Sequence, residues 1–349
     1  MEPIIYAYIC LSLLAYIPIY FASHKATIST SSDKETLNLN DATYLPVFGS
    51  CALLFLYICF KFLDQFIVAI LINIYFTLIG VPSIYNLILS FIPFISAPYS
   101  LSLKSTTSSL FVFSFGISHI LILLSSSLVA ALYIYQKNWI LANIYAESFA
   151  FTAIELISLD SFATGFMVLG GLFFYDIFWV FGSDVMVTVA KNFDAPIKVL
   201  FPRDIFAYLE QPSLSSPMSL LGLGDIVIPG IFVALALKFD NHLKLSSKPY
   251  FNSCFSAYVI GLSTCMFIMH TYKHAQPALL YLSPCCSISV LIVALVRGEL
   301  KQLFAFKAGQ EQIEPVKVKK TKKVIIVSEG EKSDSESEQV RRSTRLKNH

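Results

Sequence analysis

Leu169-Gly170-Gly171-Leu172-Phe173-Phe174-Tyr175-Asp176-Ile177-Phe178-Trp179-Val180-Phe181 sets one carboxylate among apolar and aromatic side chains, with more than a helical turn of such residues on either side. The stretch lies in an apolar run over about 163–182, and roughly 20 such residues suffice to cross ~30 Å of hydrocarbon. A charged group at that depth costs ~2.5–3.5 kcal/mol and cannot reach water by snorkelling, so Asp176 requires a reason to be there. A second stretch poses the same problem: Leu220-Leu221-Gly222-Leu223-Gly224-Asp225-Ile226-Val227-Ile228-Pro229-Gly230, in an apolar run over about 218–237.

Working outward, nine runs are long and apolar enough to span: about 4–22, 44–63, 66–89, 110–135, 139–157, 163–182, 218–237, 252–271 and 275–296. In hydrocarbon every backbone polar group must be satisfied within the chain, so these runs are expected to be helices and the fold all-α, a polytopic membrane protein of nine spans. The composition agrees, with 56% apolar and only 14% charged residues in 349. The first run has Glu2 at its start and no basic leader, so it reads as a retained span. All seven cysteines lie in apolar runs, where they act as small apolar side chains and say nothing about redox compartment.

Lys and Arg concentrate toward the end of the chain. Of the 25, 13 fall in residues 297–349, which divides the protein into a membrane domain over 1–298 and a charged, disordered tail over 299–349. The net charge of +2 argues against nucleic acid as a partner. The positive-inside rule places this tail in the cytosol, and an odd number of spans then puts the amino terminus in the lumen. Residues 23–43 and 183–217 are read as connecting segments, the latter an ordered loop.

Two carboxylates on neighbouring helices can share one proton, because two like charges a few ångströms apart do not both ionise cheaply. The ionised partner then draws a proton from water while the protonated one donates to a substrate carbonyl, which is the acid and base work of amide hydrolysis. Gly222 and Gly224 remove bulk beside Asp225 and permit a local departure from helix, and Pro229 is expected to loosen the helix beyond it. Pro277, in His274-Ala275-Gln276-Pro277-Ala278-Leu279-Leu280-Tyr281-Leu282, breaks the last span near its start, where exposed backbone could pair with an extended substrate strand.

Tyr175-Asp176, Gly222-Leu223-Gly224-Asp225 and Pro277-Ala278-Leu279 resemble, in order and on successive late spans, the signature motifs of the presenilin and signal peptide peptidase superfamily. The longer strings Phe174–Ala190, Leu221–Gly230 and Lys273–Leu282 resemble signal peptide peptidases in particular, and the similarity covers about Tyr44 to Gly298. That resemblance implies a presenilin-like fold with Asp176 and Asp225 as the catalytic aspartates. It also implies that Pro277, Ala278 and Leu279, with Gln276 before them, shape the site, and that Tyr175 supports Asp176. It implies substrates that are membrane helices of type II orientation, remnant signal peptides above all, in the endoplasmic reticulum. No metal or cofactor is implied, and homo-oligomers are.

Two other readings accommodate intramembrane carboxylates: a proton-coupled transporter or channel that relays protons through Asp176 and Asp225, and a silent relative that only binds membrane helices. Rival protease chemistries lack their motifs, since the chain has neither His-Glu-x-x-His nor Gly-x-Ser-Gly. Asp64, Asp160 and Asp184 sit at span ends, where solvation explains them. Glu147 and Glu155 fall inside the fifth span and are candidates for a polar cavity. His270 and His274 have the spacing of a helical metal pair but no third ligand, and metal binding is not expected there.

Overall fold

The structure is a computed structural model describing residues 3–28, 35–91, 117–182, 185, 196–210, 217–272 and 276–308. Its elements, in chain order, are α1 (Pro3–Ile28), β1 (Glu35–Leu37), α2 (Leu39–Phe62), α3 (Gln65–Phe91), α4 (Ile117–Gln136), α5 (Trp139–Leu156), β2 (Ile157–Leu159), α6 (Phe162–Gly182), β3 (Lys198–Pro202), α7 (Ile205–Glu210), β4 (Met218–Gly222), α8 (Leu223–His242), α9 (Pro249–Tyr272), α10 (Leu279–Arg297) and α11 (Leu300–Ala305).

Among the described residues seven helices are long and apolar enough to cross a bilayer: α1, α2, α3, α4, α6, α9 and α10. The remaining long helices, α5 and α8, also carry charged residues. Glu147 and Glu155 lie on α5, and Asp225, Lys238 and Asp240 on α8. Their placement explains how they tolerate them. α8 packs against α1, α5, α6, α9 and α10, and every residue from Pro229 to Leu237 is buried. A helix enclosed by protein on all sides meets little lipid, so a polar side chain on it can find protein partners. Close approach is built in at Gly230, where an added Cβ would lie 2.6 Å from Ile154 Cδ1 on α5 and 3.2 Å from Ile19 Cγ1 on α1. Pro229 sits inside α8 without breaking it.

A two-stranded sheet caps each end of the bundle, where the sequence led us to expect loops or helix. At one end β1 and β2 pair in parallel, Glu35 opposite Ile157 and Leu37 opposite Leu159. Here α1 runs on to Ile28, six residues past the expected end of the first span, because Lys25 has partners. Its Nζ lies 3.1 Å from Glu155 Oε1, donates to Ser90 Oγ and sits 5.5 Å from the centre of the Phe151 ring. Asn86 Nδ2 donates to Glu155 Oε2 at 3.0 Å, so one carboxylate ties α1, α3 and α5 together. At the other end β3 and β4 form an antiparallel pair, Lys198 opposite Gly222 and Pro202 opposite Met218. Residues 218–222, expected to begin the seventh span as helix, are therefore strand.

The folded unit also runs past the expected boundary at residue 298, ending at Gln310. Gly298 adopts φ +69, a left-handed turn that closes α10 with Gly298 N–H to Leu295 O at 3.1 Å and Glu299 N–H to Ala294 O at 2.9 Å. The turn sends α11 back across the bundle end. There Phe306 is buried among Phe162, Phe239 and His242, and Ala308 N–H donates to Asp160 O at 2.6 Å.

Candidate active site

Asp176 projects from the middle of α6 and is 8% exposed. Its Oδ2 accepts the backbone N–H of Leu279 at 3.3 Å. That donor exists because of the preceding proline. Gln276-Pro277-Ala278 is non-helical, the Pro277 and Ala278 carbonyls accept from Leu280 and Tyr281 at 3.2 and 3.0 Å, and α10 begins at Leu279. The first N–H groups of a helix have no internal acceptor, and the positive end of the helix dipole favours a carboxylate beside them. The backbone near Pro277 thus turns directly into helix, and one of its amides is committed to Asp176.

Asp225 occupies the first turn of α8, immediately after β4. The strand-to-helix switch falls between Gly222 and Leu223, so the departure from helix anticipated at these glycines lies on the amino-terminal side of the carboxylate. Gly222 leaves room for it, since a Cβ there would stand 3.2 Å from Asp225 Oδ2, whereas a Cβ at Gly224 would meet nothing within 4 Å. α6 and α8 are in contact, and α9, which carries the buried Cys265, packs against α8. Tyr258, seven residues earlier on α9 and fully buried, donates its hydroxyl to Asp225 O at 3.3 Å. Tyr258 and Cys265 were missed from sequence. Their i, i+7 spacing, which puts both on one face of α9, is the signal that could have found them.

The other predicted residues take varied positions. Tyr175 lies against α2, its ring and hydroxyl atoms 3.4–3.6 Å from where a Gly49 Cβ would be, and so braces α6. Gln276 turns to Tyr281, accepting its hydroxyl at 3.3 Å. Leu223 and Gly224 line an open apolar recess of about 400 Å³ with Ser83 of α3 and Thr152 of α5. The recess is bordered by α3, α5 and α8. Glu155 belongs to the tie with Lys25. Glu147 Oε1 is buried and without a hydrogen-bond partner among the described residues. Asp160 accepts from Ser161 at 3.0 Å and from Thr164. Asp184 and His274 lie outside the described residues, and among those described no group of three His, Cys, Asp or Glu could hold a metal.

The β3–β4 register decides which backbone groups border the site. Leu223 N–H donates to Ile197 O and Arg203 N–H to Pro217 O, both at 3.0 Å. Hydrogen-bonded pairs alternate with non-hydrogen-bonded ones along an antiparallel ladder. The pairs 198/222, 200/220 and 202/218 are then the non-hydrogen-bonded ones. The N–H and C=O of Leu220 and the N–H of Gly222 therefore point away from β3, and among the described residues β4 has no second strand. Leu220 is 59% exposed.

A profile of the signal peptide peptidase family matches residues 29–310. The chain belongs to that family. It is 40% identical over 321 residues to the signal peptide peptidase of Mus musculus, covering 88% of this chain and 84% of the mouse protein. It is 38% identical over 336 residues to that of Homo sapiens, covering 92% and 88%. A shorter match, 45% over 215 residues, is to intramembrane protease 2 of Caenorhabditis elegans, covering 58% of this chain and 46% of the worm protein. The chain is thus an intramembrane protease, a multi-pass membrane protein of the signal peptide peptidase family, and its carboxylates are to be read in that light.

Proposed function

We propose that this chain is an aspartyl protease in which Asp176 and Asp225 share one proton and activate water against a peptide bond of a membrane helix. The observation that carries the reading is the packing of α6 against α8 within one enclosed bundle, with Asp176 of the first accepting the Leu279 amide and Asp225 in the first turn of the second. The ionised carboxylate takes a proton from the attacking water. The protonated one donates to the carbonyl oxygen, and the tetrahedral species collapses as the proton passes on to the leaving nitrogen. No metal or organic cofactor is required. A helical amide is hydrogen-bonded and shielded, so the substrate must be drawn out into an extended form. Leu220 and Gly222 offer outward backbone groups on which such a strand can pair, and the recess bordered by Leu223 and Gly224 accepts its side chains. Pro277 and Ala278 set the helix start that supplies the Leu279 amide, and Gln276 and Tyr175 hold their surroundings.

The names of the mouse and human relatives, together with the motif resemblance, support remnant signal peptides and other type II membrane helices as substrates, in the endoplasmic reticulum. In this reading α5 and α8 join the seven apolar helices as the eighth and ninth spans. The amino terminus is lumenal, the chain after Gln310 is a cytosolic tail, and copies of the protein self-associate. The test uses the full chain in detergent with a tagged signal peptide. Each of Asp176→Ala and Asp225→Ala is expected to lower cleavage by at least about 10²-fold, the range for losing an acid–base group. A transition-state analogue of aspartyl proteases should block the wild type. Near-wild-type cleavage by either variant overturns the dyad.

A further inference from the structure

Asn143 of α5 has no part in the dyad, yet it is 6% exposed and both its amide nitrogen and its amide oxygen are hydrogen-bonded at a point that borders the site. Its Nδ2 donates to Leu200 O at 2.7 Å and its Oδ1 accepts Leu200 N–H at 2.8 Å. This is the pattern a neighbouring strand would make, supplied by one side chain. Leu200 belongs to a non-hydrogen-bonded pair, so both its backbone groups face outward from β3 and would otherwise be unsatisfied near the bilayer. Across the ladder the partner in that pair is Leu220, whose own N–H and C=O face outward from β4.

We propose that Asn143 is a positioning residue for proteolysis: by occupying the outer edge of β3 at Leu200 it leaves the β4 edge as the place where an extended substrate adds, and it fixes the register of the scissile bond against Asp225. The inference rests on the protease reading above. The mechanical path is short: α5 holds Asn143, Asn143 holds Leu200, the ladder holds Leu220, and β4 passes directly into the first turn of α8. A strand shifted by one residue turns every side chain to the opposite face, so a loosened hairpin presents different bonds to the carboxylates.

The experiment compares wild type, Asn143→Leu and Asn143→Asp, each as the full chain in detergent, on a tagged signal peptide. It records kcat, KM, product masses and melting temperature. For Asn143→Leu, which keeps the bulk and loses both hydrogen bonds, kcat is expected to fall about ten- to hundredfold, as for a misplacement of about 1 Å, with products spread over neighbouring bonds. Asn143→Asp covers the case in which the leucine variant does not fold. A protonated carboxyl can both donate to Leu200 O and accept from its N–H, while an ionised one only accepts. Relative to wild type at each pH, its product pattern should match at about pH 5 and spread toward about pH 8 as the carboxyl ionises. Two results overturn the proposal: cleavage at the same single bond with wild-type kcat by the variants at every pH, or a loss of activity that tracks melting temperature alone with the cut position unchanged. A wild type that cuts nothing refutes instead the protease reading, and this inference with it.

Discussion

Removing the carboxylate that ties α1, α3 and α5 gives the most quantitative check on the packing. At 3.1 Å and an effective dielectric near 20, Lys25 and Glu155 attract by roughly 5 kcal/mol before desolvation is charged against them. The Lys25 side chain is 31% exposed and the Glu155 side chain 8%, so screening on the lysine side reduces the coupling to about 2 kcal/mol. Glu155→Leu should cost more than that coupling, about 3 kcal/mol, because it also strands the Asn86 amide and leaves Lys25 beside the Phe151 ring without its counter-charge. Lys25→Met alone should cost about the same, and the double variant clearly less than the sum. For a chain of this size about 3 kcal/mol corresponds to a fall in melting temperature of about 4 °C. The assay is a double-variant cycle by thermal or denaturant unfolding in one detergent. Strict additivity of the two substitutions, or a Glu155→Leu protein as stable as wild type, would refute the assignment of this tie as the bond that extends α1 to Ile28.

Gly230→Ala should destabilise by about 1–3 kcal/mol, because the new methyl would stand 2.6 Å from the fully buried Ile154, while Gly224→Ala should leave the melting temperature unchanged and alter KM if the recess receives substrate. Glu299, beyond the last span, accepts from Arg297 Nε at 3.0 Å and from the Tyr250 hydroxyl at 2.7 Å, and the Arg297 guanidinium holds its carboxyl below the ordinary range. A depressed folded value contributes stability above the unfolded value of about 4.3 and loses it as pH falls through the folded one. Protease cutting within 299–308 should therefore be unchanged from neutral pH to about pH 5 and rise below about pH 4. A flat profile across that range would contradict it.

The membrane helices were legible because lipid leaves the backbone no alternative, and helix ends mostly fall within a few residues of the apolar runs. What escaped were features decided by contacts distant in sequence. Met218 to Gly222 is as apolar as the helix that follows, and only its pairing with Lys198 to Pro202 makes it strand. The extension of α1 depends on Glu155, more than a hundred residues away, although a basic residue just past one span and an acid inside another are opposite charges in search of partners. The two aspartates were readable as charges out of place in apolar runs. The amide that fixes Asp176 was not, because it belongs to Leu279 and exists only where Pro277 delays the start of a helix. Asn143 gave no signal, since an asparagine near the beginning of a short span reads as an interfacial residue until β3 is seen beside it.

The left-handed turn at Gly298 changes where the protein can be shortened. A version truncated at that glycine would discard the aromatic cork formed by Phe306 and wet the ends of α6 and α8 at Phe162 and Phe239. One truncated after Gln310 keeps the cork seated, so that residue is the natural stop for anyone trimming the chain or grafting a label onto it.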